Sequence, residues 1–394
     1  MLAVSSKAVR LPRALAQNKR ALHDLTALPS NKPVIAYGPP GRSATTGHVA
    51  TVFGCTGFMG RYVVAKLAKA GTQVIVPYRD EDEKRHLKVT GDLGQIVNME
   101  WDLRRPDQIE ECLRHSDIVY NLVGREYETK NFSYDDVHVK GAGTIANIAA
   151  QAGVDRFVHV SHLNAAHDSP SAFYRSKAAG EEAVKEAFPS ATIVRPSIMY
   201  GYEDRLLNNV AFWPIWWKLN HMKTKVRPVH VMDVAQALAN VIQIPSMPGT
   251  FNLPGPSTMT YEYLITLVST VTYNPPSRAP VLPKPVALWL AKMAQYVWWP
   301  ALSPDEVIRR YIDDVDVPGD WDKFGITPDE IEEHAITYLR RYRSAENFAR
   351  PVVFPATRET SSVSQAVSPL FRVIELTDGR PHQSCSTTSH ELGP

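Results

Sequence analysis

The stretch His48-Val49-Ala50-Thr51-Val52-Phe53-Gly54-Cys55-Thr56-Gly57-Phe58-Met59-Gly60-Arg61-Tyr62-Val63-Val64 decides how the rest of the chain is read. A short apolar, β-prone run feeds three glycines, and these open an amphipathic segment. That is the strand, glycine turn and helix of a dinucleotide site. Gly54 permits a sharp turn, Gly57 lets backbone come close to a pyrophosphate, and Gly60 lets the helix pack tightly on the sheet. The helix N-terminus then faces the phosphate charge. The spacing is Gly-x-x-Gly-x-x-Gly rather than the commoner Gly-x-Gly-x-x-Gly, so the flanking strand and helix carry the assignment as much as the glycines do.

Outward from this stretch, strands alternate with helices. Strands are predicted at 49–53, 73–78, 96–101, 118–122, 156–161 and 192–194. Helices are predicted from about Phe58 to Ala70, Arg105 to Arg114, Tyr134 to Ala152 and Phe173 to Phe188, and the charged run Arg79 to Arg85 reads as a turn. This alternation predicts an α/β fold, a doubly wound parallel sheet covered on both faces, with a smaller, mainly helical C-terminal lobe. Beyond Gly201 the pattern loosens, but Val229 to Ala235 still reads as a strand end capping a helix. The expected organisation is a presequence over 1–30, an extended Pro/Gly-rich arm over 31–47 and a dinucleotide-binding domain over 48–201. A lobe over 202–345 interleaves with the sheet, and a disordered Ser/Thr/Pro-rich tail covers 346–394.

The 394 residues are 44% apolar and carry a formal net charge of +2, so the chain has no global attraction to nucleic acid. Cys55, Cys112 and Cys385 form neither a disulfide framework nor a metal-ligand spacing, which fits a reducing compartment. Residues 1–23 lack any acid but hold Lys7, Arg10, Arg13, Lys19 and Arg20 among leucines and valines, the composition of a mitochondrial transit peptide. No uninterrupted apolar run is long enough to span a bilayer. Six of the eight tryptophans nevertheless lie in two segments, 210–219 and 285–300. Such stretches suit a membrane interface, a hydrophobic partner or the chain's own core.

The second strand ends Val76-Pro77-Tyr78-Arg79, where NAD-binding sites usually carry an acid for the ribose hydroxyls. An arginine pairs instead with a 2′-phosphate, so the sequence favours NADPH (NADP) as cofactor, although Asp80 follows it. Asp102, after the third strand, can accept a bond from the adenine amino group or cap the helix that follows.

Gly54-Gly57-Gly60, Asp102-Leu103, Asn121-Leu122-Val123-Gly124, Lys177, Arg195-Pro196 and Asp233 together resemble the extended and atypical short-chain dehydrogenase/reductases. Gly57 to Val64, Val74 to Arg79, Tyr174 to Glu181 and Tyr200 to Asn208 are similar, more narrowly, to the nucleotide-binding accessory subunits of mitochondrial respiratory complex I. That likeness runs to about Arg343 and omits the tail. It implies a tightly held NADPH without redox turnover. It also implies a peripheral place on the matrix side of the inner membrane, against other complex I subunits at the junction of the two arms. Segments 210–219 and 285–300 would then meet lipid or the membrane surface. Carried onto this sequence, the cofactor-binding positions are Gly54, Thr56, Gly57, Phe58, Met59, Gly60, Tyr78, Arg79, Asp102, Leu103, Leu122, Val123, Gly124, Ser161, Lys177, Pro196 and Ile198.

Reductases of this kind need a phenol to shuttle a proton and a lysine four residues on, on the same helix face. Four residues before Lys177 stands Phe173, which has no hydroxyl. Tyr174 is about 100° around the helix. Ser161, His162 and Asn164 are candidates for the group that steadies a substrate carbonyl. No catalytic residue is therefore assigned. A matrix NADP-dependent reductase or epimerase using Tyr174 and Lys177 is the competing reading.

Overall fold

Short β-branched runs, each too brief for a stable helix, build the centre of the computed structural model. It describes residues 23–28, 33–38, 44–212, 218–244, 247–275, 279–297, 303–352 and 354–355. All of these lie in the first of two units, Met1–Glu359. The chain opens with β1 (His23–Ala27) and β2 (Pro33–Tyr37), an antiparallel hairpin. β1 falls within the expected presequence and β2 within the expected arm. The arm then runs to β3 (Val49–Phe53), and Thr46 N–H bonds the Gly71 carbonyl on the way.

The α/β alternation follows: α1 (Phe58–Lys69), β4 (Gln73–Tyr78), α2 (Glu81–Lys88), β5 (Ile96–Glu100), α3 (Pro106–Leu113) and β6 (Ile118–Asn121). After it come α4 (Ala142–Gln151), β7 (Arg156–Val160), α5 (Ala172–Ala187) and β8 (Thr192–Pro196). The third part comprises β9 (Met199–Tyr200), α6 (Leu207–Phe212), β10 (Lys225–Val226), β11 (Val229–His230), α7 (Val231–Asn240), β12 (Gly249–Leu253) and β13 (Met259–Thr260). It ends in α8 (Tyr261–Thr272), α9 (Lys284–Val297), α10 (Pro304–Arg309), α11 (Trp321–Phe324) and α12 (Ile331–Leu339).

The main sheet has seven strands, all parallel, in the order β12-β8-β7-β6-β3-β4-β5. The direction in which successive strands are added reverses between β3 and β6, so the loops after these two strands diverge and leave a crevice at their C-terminal ends, the place where such folds bind ligands. One face of the sheet buries Val63, Val64 and Leu67 of α1 with Val234 and Leu238 of α7. The other buries Ile109 and Leu113 of α3, Ile145 and Ala149 of α4, and Val184 of α5. A separate apolar cluster joins α6, α8 and α12 through Leu207, Leu264, Leu267, Ala335 and Leu339. This is the helical C-terminal lobe.

Three elements depart from the expected course. The charged run after β4 is helix α2: Asp80 caps it by accepting the Asp82 N–H, with acids in its first turn and Arg85, His86 and Lys88 in its last. That order of charges suits the helix dipole. The expected helix 134–152 divides into a π-helical turn, Asp136–Gly141, and α4. The wider turn sits where α5 comes closest, because a β-carbon on Gly180 would stand 2.2 Å from the His138 carbonyl oxygen. The seventh strand, β12, comes from beyond Gly201 and pairs Phe251 with Val194 of β8.

Candidate nucleotide site

The turn after β3 is a cradle that side chains would fill. Gly54 has φ of +79°, and a β-carbon there would lie 2.9 Å from the Leu122 carbonyl. One on Gly60 would lie 2.3 Å from the Gly54 oxygen, so α1 can sit this close only with glycine at both places. Gly57 caps α1 without a side-chain hydrogen bond, and no acid occupies the first turn. The amides at the start of α1, at Phe58, Met59 and Gly60, therefore face the crevice with no side-chain acceptor, a geometry and partial charge suited to phosphate. Thr56 lies in the turn, with its carbonyl bonded to Arg61, which in turn pairs with Glu203. Cys55 is buried, its thiol donates to the Pro77 carbonyl, and burial pushes its pKa up to about 12; its role is packing.

At the end of β4, Asp80 is engaged as the cap of α2. Arg79 is exposed and, among the described residues, has no ion-pair partner. Lys84, in the first turn of α2, lies over the Tyr78 ring at 3.9 Å and pairs with Glu81 at 3.0 Å. The end of β4 thus carries two cations, Arg79 and Lys84, and α2 supplies the one that the turn reading missed. Asp102 accepts the Arg104 N–H through one oxygen, which is a local turn contact. Leu103 packs against Gly141.

The turn after β6 closes the far side. Asn121 Oδ1 accepts the Val123 N–H, and the Leu122 N–H bonds Phe53. Leu122, Val123 and Gly124 thereby run between the glycine cradle and Lys177, whose Nζ would be 3.1 Å from a β-carbon on Gly124. Lys177 is buried, with Nζ 3.4 Å from the Val160 carbonyl. Burial pushes its pKa down to about 8, against the opposing pull of Glu181. Ser161 is buried, its N–H bonds Val194, and its hydroxyl has no partner among the described residues. Pro196 ends β8, and Ile198 accepts the Val229 N–H.

The structure thus brings the cradle, Leu122 to Gly124, Ser161, Lys177 and Pro196 to one end of the sheet, with Tyr78, Arg79, Asp102 and Leu103 at the ends of β4 and β5. An unpartnered buried hydroxyl, a buried ammonium and a row of free amides fit the ribose and pyrophosphate of a dinucleotide.

The substrate side is differently furnished. α5 begins at Ala172, so Phe173 and Lys177 share a face, with Nζ 6.0 Å from the ring centroid. The Tyr174 ring packs at a tilt against that of His162, with the centroids 4.8 Å apart. Burial holds its hydroxyl well above the usual phenol pKa. His162 accepts the Asn164 N–H, and burial pushes it down to about 3. Asn164 binds Asp314 at 2.8 Å and takes the Val315 N–H. Both are thus held in a clasp with the C-terminal lobe.

Sequence reasoning missed the residues that complete this side. Asp305 accepts both Ser171 Oγ and the Ala172 N–H at 2.8 Å, capping α5. The Arg309 guanidinium lies over the Phe173 ring at 4.7 Å. His138 bonds Ser176 and takes the Arg125 N–H, and burial with Lys177 nearby pushes it down to about 2. No local spacing signals these contacts, since Asp305 and Ser171 are 134 residues apart.

The parallel sheet and the glycine cradle define a Rossmann-type dinucleotide-binding fold. A family model described as NAD(P)H-binding matches residues 54–245. The chain is 44% identical over 362 residues to the mitochondrial NADH-ubiquinone oxidoreductase 40 kDa subunit of Neurospora crassa, covering 88% of this chain and 94% of that one. It is 43% identical over 321 residues to the mitochondrial NADH dehydrogenase (ubiquinone) 1 alpha subcomplex subunit 9 of Rattus norvegicus, covering 79% and 85%. The chain belongs to this family of mitochondrial complex I subunits. At the level of fold alone it is similar to the Citrobacter triphenylmethane reductase complexed with NADP(H), with a TM-score of 0.57 and 15% identity over 74% of this chain and 99% of that one.

Proposed function

We propose that this subunit holds NADPH as a structural, non-reacting ligand and so supports the assembly and stability of complex I. One observation carries the reading: an intact phosphate cradle and Lys177 adjoin a phenyl ring at the proton-donor position, with Arg309 laid over it. NADPH supplies hydride chemistry when an enzyme uses it. Here Lys177 and Ser161 would hold the nicotinamide ribose, the amides of α1 the pyrophosphate, and Arg79 with Lys84 the 2′-phosphate. The competing reductase reading has less support, because Phe173 shares the face of α5 with Lys177, while the Tyr174 ring packs against His162.

A ligand that binds only the folded state stabilises it by about 2.7 kcal/mol at 100 times its Kd. Arg79→Ala should remove a charge-assisted bond to the 2′-phosphate and weaken NADPH roughly 10- to 100-fold, while NADH binding stays nearly unchanged. Fluorescence titration with both nucleotides checks this, and an equal loss for the two would defeat the NADPH assignment. Complex I assembly should fall with nucleotide retention in the same variant. Phe173→Tyr should keep bound NADPH and still oxidise none of it with small carbonyls, since α10 stays in place over the ring. Turnover by the unaltered protein would sink the structural reading.

We place the subunit peripherally on the matrix side of the inner membrane, at the junction of the complex I arms. No helix among the described residues is long and apolar enough to cross a membrane. α9 buries Ala287 and Ala291 on its own lobe and exposes Val286, Trp289 and Met293, while Phe212 ends α6 in an exposed position. Lys218 of the first aromatic segment bonds residues 280 and 282, just before the second, and Leu219 packs in one cluster with Ala287 and Ala291. This supports one docking face for lipid or a neighbouring subunit. Trp213, Trp216, Trp217, Trp298 and Trp299 lie outside the described residues, as do residues 1–22, which we read as the greater part of a presequence.

A further inference from the structure

Where α7 meets α12, the donor groups of His230, Asp329 and His334 converge, with Asp233 beside His230, and no motif connects them. His230 is 4% exposed, and its Nδ1 has no hydrogen-bond partner among the described residues. Its Nε2 is 2.7 Å from the Tyr338 hydroxyl. With that nitrogen donating to Tyr338, Nδ1 presents its lone pair to the two carboxylates opposite, the arrangement that commonly orients a metal-binding imidazole. Asp233 Oδ1 stands 3.7 Å from Nδ1, and Asp329 Oδ2 4.0 Å. Asp329 Oδ2 is also 2.9 Å from His334 Nε2. The Asp329 N–H donates to the other oxygen of Asp233, which fixes that carboxylate with Oδ1 turned inward. The donor atoms of His230, Asp329 and His334 lie within 4.8 Å of one another.

We propose that His230, Asp233, Asp329 and His334 form a binding site for a zinc-class divalent cation that ties the N-terminus of α7 to α12. Two imidazole nitrogens and two carboxylate oxygens are a donor set for zinc rather than for calcium or magnesium, which take oxygen ligands in larger number. Bonds of about 2.0–2.2 Å would draw the four atoms into a tetrahedron. The rings of His230 and His334 now stack at 4.2 Å and 17°, so their in-plane lone pairs do not converge. His334 lies at the partly exposed edge of α12 and turns to complete the set, whereas His230 is held in place by Tyr338 and by stacking on Tyr200. The ligands come from positions 230, 233, 329 and 334, so nothing in their sequence spacing announces a metal. The site is independent of the nucleotide reading.

The test uses the full chain, stripped of metal by a chelator and dialysed. Zinc is titrated in competition with a chromophoric chelator, and cobalt(II) is titrated while its visible absorption is read. One equivalent should bind with the intense visible bands of tetrahedral cobalt and no thiolate charge-transfer band. His334→Ala and the isosteric Asp329→Asn should each weaken binding by more than about tenfold, and Tyr338→Phe by about tenfold. Zinc should raise the Tm of the unaltered chain and leave that of His334→Ala unmoved, both having equal Tm without metal. The absence of one-equivalent binding would overturn the site and leave His230 as a buried imidazole beside two carboxylates. Binding unchanged in both ligand variants would also overturn it, as would a thiolate band, because the proposed ligands include no cysteine.

Discussion

The Gly60→Ala variant is expected to lose nucleotide binding together with about 3 kcal/mol of stability, the upper range for overpacking a core. The added methyl would meet the Gly54 oxygen at 2.3 Å and the Cys55 backbone at 2.6 Å. Both are backbone atoms of the cradle, so α1 must move off the sheet and its amides leave the phosphate position together. Gly143→Ala is the matched comparison. That glycine is inside α4, and its new methyl would meet only Ala183 at 3.5 Å, an ordinary contact. It should be neutral or stabilising by up to about 1 kcal/mol through helix propensity. Thermal unfolding with and without NADPH reads both effects. A Gly60→Ala protein that unfolds and binds like the parent would show that the turn does not set the position of α1.

The second large effect lies behind the site. Arg195 of β8 makes paired bonds to Glu181 of α5 at 2.8 and 2.6 Å, and the Glu181 side chain is only 3% exposed. Arg195→Met should cost about 3–5 kcal/mol because it leaves a buried carboxylate without its partner. Replacing both residues, as Arg195→Met with Glu181→Leu, should recover most of that loss, since an apolar pair of similar volume removes the buried charge altogether. Urea unfolding of the single and double variants measures the coupling. Nucleotide affinity should fall in Arg195→Met as well, because α5 carries Lys177 one turn before Glu181. Additive losses in the cycle would mean that the pair contributes no coupling.

How much of this was readable from the chain follows its local physics. β3 and β4 match the strands expected from their apolar runs, and α1 starts at Phe58 as the glycine turn requires. α2 was also legible in principle: Asp80, then Glu81-Asp82-Glu83, then Arg85 and Lys88 is a capped helix with its charges in dipole order. The density of charge disguised it as a turn. The π-helical turn at 136–141 depends on the approach of Gly180 in α5, so no local pattern could show it. β12 (Gly-Thr-Phe-Asn-Leu) opens on a glycine and carries an asparagine, so only its pairing with β8 makes it a strand of the sheet. The glycines and Lys177 were legible because a phosphate site is local in sequence. Asp305, Arg309 and Asp314 were not, because they reach the site from the far end of the chain.

The strand order has a consequence for how the molecule is made. β3 enters first but sits between β4 and β6, and the edge strand β12 pairs with β8 only after residue 253 has been delivered. Arg156, at the start of β7, then holds the carbonyls of Val241, Ile242 and Ile244, some 85–88 residues downstream. A chain supplied in N-to-C order can therefore add each strand to an edge already present, but the β7–β8 side stays incomplete until residues 241–253 arrive. Until then the β8 edge and the Arg156 guanidinium lack their native partners, an incomplete parallel intermediate of the kind that folds slowly and aggregates easily. Dependence on chaperones during delivery should thus end abruptly, when β12 docks, rather than fade in proportion to chain length.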